Sequence, residues 1–249
     1  MNCITWNIRG LECPDRKYVV RNFISGMKNL DLIMLQEVKA TGFCLESNLN
    51  FIWKDAVKFH TNHPHGRGGV VILLSPKWGP QIICHGISPC NRALWLILEI
   101  NNRQFGICAI YASNDYSERA SFWSWLSLLP DIPWVFGGDF NMIENQEDKM
   151  GGLPFSWKEQ ERKAWYNFKI SKSLFDPLSG NRNSNSGLWF TWCNFQKGQA
   201  RIYSRLDRFY LSSNFFSVLP NEHNRNVNIF PSTLSDHHPI SISISLGSF

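Results

Sequence analysis

With 249 residues and no Pro-, Gly- or Ser-rich linker or charge run to divide it, the chain is expected to form one domain over 1–249, with its core over about 1–246. A hydrophobic fraction of 43% and an aromatic fraction of 14% suffice for a large core, and no composition bias suggests disorder. The formal charge of +5 suits a polyanionic partner without demanding one, and no apolar run approaches the ~18 residues of a membrane span, so a soluble, non-secreted chain is expected.

Taken in order, residues 2–8 form a short β-rich run that ends in Asn7-Ile8-Arg9-Gly10. Over 15–27, Val19, Val20, Phe23, Ile24 and Met27 recur at three and four, the spacing of an amphipathic helix begun after Pro14. Residues 32–35 read as a buried strand running into Gln36-Glu37, and a carboxylate after four apolar residues must find a cation or face a cleft. His60, His63 and His65 have a spacing that zinc accepts, but without a Cys or Glu partner nearby a polar loop is the expectation. Gly66-Arg67-Gly68-Gly69 then opens a strand over 70–74.

Two apolar runs, 94–100 and 105–111, flank Asn101-Asn102-Arg103 and read as a hairpin whose second arm ends in Tyr111-Ala112-Ser113-Asn114. A helix carrying Phe122, Trp125, Leu126 and Leu129 leads to the strand Trp134-Val135-Phe136, which ends in Gly137-Gly138-Asp139-Phe140-Asn141. Period-2 geometry puts Asp139 and Asn141 on one side, and the glycines let the backbone come close to a ligand. Gly, Asp and Asn are also ordinary turn residues, so this segment alone does not separate a site from a turn.

A helix is expected over 156–170 with Trp157, Ala164, Trp165 and Phe168 inward, and the Asn-, Ser- and Gly-rich tract 179–187 should be a surface loop. Strands are expected over 189–192 and 205–211, and Ser235-Asp236-His237-His238-Pro239 precedes the alternating Ile240, Ile242, Ile244 and Leu246. The 7 cysteines form no CxxC pair and several fall inside apolar runs, so they read as reduced core residues of an intracellular protein. Hairpins interleaved with helices give an α/β fold of two packed, mainly antiparallel sheets with helices outside.

Asn7, Glu37, Tyr111, Asn114, Asp139, Asn141, Asp207, Asp236 and His237 all lie where a buried strand meets a loop. So many acids on one edge would repel one another unless a cation and an anion sat among them. An all-oxygen ligand set without thiolate favours magnesium, with manganese as the alternative, over zinc. Phosphodiester hydrolysis needs a positioned water, a base, positive charge on the phosphoryl oxygens and help for the leaving oxygen, and these residue types supply each role.

Asn7, Gln36-Glu37, Tyr111 with Asn114, Gly138-Asp139-Phe140-Asn141, Arg205-Leu206-Asp207 and Ser235-Asp236-His237-His238-Pro239 resemble, in order, the motifs of the endonuclease/exonuclease/phosphatase superfamily. Within it, the chain is similar to the apurinic-type endonuclease domain of LINE-type non-LTR retrotransposons; Phe190-Thr191-Trp192 and the stretch from Ser204 to Phe209 look most like the plant elements. The resemblance implies a four-layer α-β-β-α sandwich and a magnesium-dependent endonuclease that nicks double-stranded DNA in the nucleus as a monomer, without a membrane partner. In a full-length element it also implies a reverse transcriptase domain, of which this chain carries no motif.

By the same resemblance Glu37 and Asp236 hold the metal with Asn7 adjoining. Asp139 orients or deprotonates the attacking water beside Asn141, His237 contacts the scissile phosphate with Asp207 fixing its tautomer, and Tyr111 and Asn114 contact the phosphate or leaving group. Either Asp139 or His237 could be the base. Arg9, Arg67 and Arg205, with Lys39 and Arg201, are basic residues placed to meet DNA phosphates. Arg9 stands where apurinic repair enzymes carry an acid, which argues against a second metal contact there, and Ser113 replaces a common proline. Relatives that cleave lipids or inositol phosphates usually carry a histidine at the position of Tyr111. The competing readings are an inert or decayed retroelement fragment that binds DNA without cutting it, and a phosphatase acting on inositol phosphates or lipids.

Overall fold

The computed structural model describes residues 1–61, 68–179, 188–215 and 227–244. In chain order the first half gives β1 (Asn2–Asn7), α1 (Pro14–Ser25), β2 (Leu32–Gln36), α2 (Gly42–Ile52), β3 (Val57–His60), β4 (Val70–Leu74), β5 (Ile82–Ile87), β6 (Ala93–Ile100), β7 (Arg103–Tyr111) and α3 (Tyr116–Leu126). The second half gives β8 (Trp134–Asp139), β9 (Lys149–Met150), α4 (Glu159–Ser171), β10 (Leu174–Phe175), β11 (Trp192–Cys193), β12 (Tyr203–Ser204), β13 (Asp207–Ser212), β14 (Val227–Ile229) and β15 (Ile240–Ser243).

Two six-stranded sheets result, in the orders β14-β15-β1-β2-β4-β3 and β10-β13-β8-β7-β6-β5, with a small third sheet β11-β12-β9. Only β1/β2 and β7/β8 run parallel; every other pair in the two large sheets is antiparallel. Each parallel pair is joined through a helix, α1 or α3, as parallel strands require. The hairpin β6/β7 turns on Asn101 and Asn102, both at positive φ (49° and 61°), the conformation a two-residue hairpin turn needs and asparagine tolerates.

The sheets pack face to face. Met34, Ile72 and Leu74 of the first meet Leu96, Ile107, Val135 and Phe209 of the second. On the outer face of the first sheet, Ile33, Leu35, Val71 and Leu73 lie under Val20 and Ile24 of α1 and Leu45 and Leu49 of α2. On the outer face of the second, Ile110, Phe136 and Tyr210 lie under Phe122 and Trp123 of α3 and Trp165 and Phe168 of α4. Strands β2, β4 and β8 are buried at every position because both faces are covered, hence their unbroken apolar runs. The expected four-layer sandwich is the observed one.

Several local expectations change. The last helix starts at Glu159 rather than 156, and of 189–192 only Trp192 joins a strand, β11. The run expected as a strand over 205–211 pairs from Asp207, because the Arg205 side chain turns into an ionic cluster. Cys3, Cys108 and Cys193 are buried, but Cys13, Cys44, Cys84 and Cys90 are exposed, so most of the cysteines are not core residues; all are free thiols. Residues 180–187 of the expected surface loop, and Leu246, lie outside the described residues. Among the described residues no helix is long and apolar enough to cross a membrane.

Candidate active site

Register brings the site together. The parallel strands β1 and β2 end side by side with Asn7 opposite Gln36, and β7 and β8 end with Tyr111 opposite Asp139. Antiparallel β13 begins with Asp207 facing Asp139 from the other side. Carboxyl ends of parallel strands are where α/β sheets commonly open toward ligands. Gly138 is indispensable to this edge: its φ is +153°, and a Cβ there would lie 1.9 Å from the Ile110 carbonyl oxygen.

The segment 235–239 docks between the two sheets. Ser235 Oγ donates to the Asn7 carbonyl (2.8 Å) and accepts from the His237 amide (3.1 Å), while the Trp6 indole donates to the His237 carbonyl (3.2 Å). The Cys193 amide donates to the Asp236 carbonyl (3.1 Å) and the His238 amide to that of Thr191 (2.7 Å). Thr191 Oγ1 also accepts from the amides of Leu206 and Asp207, both at 3.0 Å. Thr191 and Ser235 thus place both partners of a histidine–aspartate pair.

That pair is buried. His237 Nδ1 lies 2.8 Å from Asp207 Oδ2, and Nε2 lies 3.8 Å from Asp139 Oδ2. Asp139 Oδ2 accepts from Asn7 Nδ2 (2.9 Å) and Oδ1 from the Asn141 amide (2.9 Å); the Asn141 side chain donates to the Ala112 carbonyl (2.8 Å). Asp207 Oδ1 is buried with no hydrogen-bond partner among the described residues. Burial alone would lower the His237 pKa, but the carboxylates of Asp207 and Asp139 outweigh it and raise it to about 9. Burial raises Asp139 to about 6 despite the opposing charge of His237. Near neutral pH His237 is therefore the cation and Asp139 a carboxylate close to its titration point.

Beside this pair lies a second group. Arg9 donates through Nε and Nη2 to the two oxygens of Asp236 (2.8 Å each) and through Nη1 to Glu37 Oε1 (2.9 Å). Glu37 Oε1 also accepts from Asn7 Nδ2 (3.0 Å), its Oε2 pairs with Lys39 Nζ (2.8 Å), and Trp192 Nε1 donates to Asp236 Oδ2 (2.9 Å). For both acids burial opposes ionisation but is outweighed. Lys39, Asn7 and Arg9 hold Glu37 below the usual range, and Arg9, His237 and Trp192 hold Asp236 down at about 2. Tyr111 is half-buried, with the Arg92 guanidinium 5.6 Å from its ring centre. Burial and the charges of Glu37 and Asp139 push its phenol up, so it stays a proton donor.

The donor set fits a hard divalent ion. Glu37 and Asp236 converge on a single guanidinium, and their oxygens are of the kind such an ion takes. Asp139, Asp207 and His237 also present ligand atoms within 4.8 Å of one another, with an imidazolium among them.

Of the residues singled out in the sequence, Asn7, Glu37, Tyr111, Asp139, Asn141, Asp207, Asp236 and His237 meet at this edge. Asn114 is exposed on the loop after β7, whose carbonyls at Ser113 and Asn114 accept from Arg119 Nη1. Arg205 does not face DNA: its side chain is 4% exposed and pairs with Asp148 (2.9 Å) and Asp176 (2.7 Å), which Arg208 also binds. Arg67, His63 and His65 lie outside the described residues; His60 does have an acidic partner, Glu46 at 2.9 Å. Thr191 and Ser235 were missed as site-builders, although both lie inside motifs the sequence displayed.

The sequence pattern of the Endonuclease/Exonuclease/phosphatase family matches residues 4–237. No curated protein matches the chain. Among solved structures, the AP endonuclease LMAP from Leishmania major superposes with a TM-score of 0.71 at 15% identity, over 97% of this chain and 86% of that one. An AP endonuclease from Archaeoglobus fulgidus gives 0.72 at 15% identity, over 98% of each chain. The 3' phosphatase NExo from Neisseria, bound to a product DNA hairpin, gives 0.66 at 17% identity over 98% and 99%. At these identities the likeness is one of fold.

Proposed function

Because the chain belongs to the endonuclease/exonuclease/phosphatase family, we propose that it is a magnesium-dependent phosphodiesterase that nicks double-stranded DNA, as the target-site endonuclease of a LINE-type retroelement. The observation that carries the reading is the buried His237, held by Asp207 at 2.8 Å and turned toward Asp139 at 3.8 Å. A charged imidazole beside a carboxylate near its titration point suits a site that grips a phosphate and activates a water.

In this reading Asp139, fixed by Asn7 and Asn141, takes the proton of the attacking water, and His237, protonated and oriented by Asp207, donates to a phosphoryl oxygen. Tyr111, kept protonated, is placed to donate toward the phosphate or leaving oxygen, with Asn114 on the loop beyond it. Glu37 and Asp236, with Asn7 adjoining, would hold a divalent ion, which when bound supplies positive charge against the phosphate. The low pKa values of both acids keep them ionised for that purpose. The linking of Asn7, Glu37, Asp139, Asn141, Asp207, Asp236 and His237 through hydrogen bonds and ion pairs at one edge favours a working enzyme over an inert DNA-binding fragment. Tyr111 favours DNA over lipid or inositol phosphates by the resemblance. Nuclear action follows only from the proposed substrate.

Relaxation of supercoiled plasmid tests this. Open circles should form with magnesium and fail to form with chelator, with Asp139→Ala or with His237→Ala. A folded protein that shifts DNA on a gel without cutting would favour the inert fragment. Release of phosphate from inositol phosphates or lipids, with plasmid untouched, would move it to the phosphatase branch.

A further inference from the structure

The two acids that converge as metal ligands are already neutralised from within the chain. Arg9 spans them with three hydrogen bonds, two to Asp236 and one to Glu37, in the fork geometry guanidinium makes with carboxylates. With Trp192 also on Asp236, and Asn7 and Lys39 on Glu37, all four carboxylate oxygens have donors. The backbone is shaped for this. Arg9 and Glu37 sit at φ +55° and +51°, left-handed conformations that non-glycine residues rarely adopt and that cluster where structure over-determines them. The Arg9 amide donates to Asn7 Oδ1 (3.2 Å), which helps turn the chain so that the side chain folds back over the strand end.

Exposure divides the partners. The Arg9 side chain is 37% exposed, that of Asp236 21% and that of Glu37 4%. The acids are therefore fixed parts of the wall, while the guanidinium lies at the mouth with water on one side.

We propose that Arg9 is a tethered counter-cation that competes with the divalent ion for Glu37 and Asp236, so that metal binding displaces the guanidinium and metal loss is followed by its return. This rests on reading Glu37 and Asp236 as the metal ligands. Two consequences follow. The metal-free protein does not carry an uncompensated acidic pair, so removing the ion costs it less stability than it would cost a chain without Arg9. The ion in turn binds more weakly than the same carboxylates would hold it alone, because each binding event must break three charge-assisted hydrogen bonds.

Direct binding of Mn2+, followed by its electron paramagnetic resonance signal and by thermal unfolding, tests the exchange without reference to catalysis. Four proteins are compared: wild type, Arg9→Gln, Arg9→Lys and Glu37→Gln. Arg9→Gln should bind Mn2+ at least about tenfold more tightly than wild type, since the competing charge is gone. Arg9→Lys, which keeps the charge but cannot span two carboxylates, should fall between them. Without metal, Arg9→Gln should melt below wild type, and the same Mn2+ concentration should raise its melting temperature by more than that of wild type. If Arg9→Gln binds Mn2+ no more tightly while Glu37→Gln loses binding, the ligand assignment stands and the competition is overturned. If Glu37→Gln binds as wild type does, the ligand assignment falls and the competition with it. Should Arg9→Gln fail to fold even with Mn2+, an Arg9→Lys affinity equal to wild type overturns the proposal.

Discussion

At the scale of single residues, the environment of two side chains sets how activity should depend on pH. In the proposed reaction Asp139 must be ionised to take a proton and His237 protonated to meet a phosphate, so kcat/KM should rise through about pH 6 and fall through about pH 9. Asp207→Asn should lower turnover by about 10²-fold or more while leaving DNA affinity nearly intact, and should move the alkaline limb to lower pH. Wild-type turnover in that variant would remove Asp207 from its orienting role. The same shift has a stability sign. The folded pKa of His237 lies above its usual 6.5, so its ion pairs contribute fully below that value and are lost as pH rises through about 9. Melting temperature should therefore decline over that interval, and His237→Gln should flatten the decline.

At the scale of elements, what could be read from the sequence depended on whether one face or both of an element is buried. Strands β2, β4 and β8, and the hairpin turn at Asn101-Asn102, were legible because continuous apolar runs and paired asparagines have few other readings. Helix α2 was not: it starts on Gly42, buries Asn48 and exposes Phe43, so its apolar periodicity is broken. Strand β5 was missed because it is an edge strand largely open to solvent. Arg205 was misplaced because its acidic partners, Asp148 and Asp176, are distant in sequence, and nothing local distinguishes an arginine bound for an ion pair from one bound for DNA. That cluster carries its own prediction. Arg208 is fully buried between the same two acids, and Arg208→Met should cost about 3–5 kcal/mol in urea unfolding by leaving them under-compensated. A loss below ~1 kcal/mol, the scale of an exposed pair, would mean the cluster is not a structural clamp.

At the scale of the whole molecule, the site exists only while the two sheets are packed. Asn7 and Glu37 come from one, Asp139, Asp207 and Tyr111 from the other, and Asp236 and His237 from the segment that enters β15. No single sheet contains the constellation. The proposed nicking activity and tryptophan emission should therefore be lost at the same urea concentration; activity that survives the main unfolding transition would show that the site needs less than the sandwich.

The order of strands also sets a clock. β15 lies between β14 and β1, and the Met1 amino group reaches the Ile244 carbonyl, so nearly the whole chain separates these partners. At ribosomal speeds of ~5–20 residues per second, roughly 12–50 s pass between the emergence of β1 and that of the strand that covers its open edge. Throughout that wait the nascent first sheet presents an unpaired apolar border. Rapid synthesis or chaperone shielding should therefore govern the yield of folded protein more than any further gain in stability of the finished sandwich.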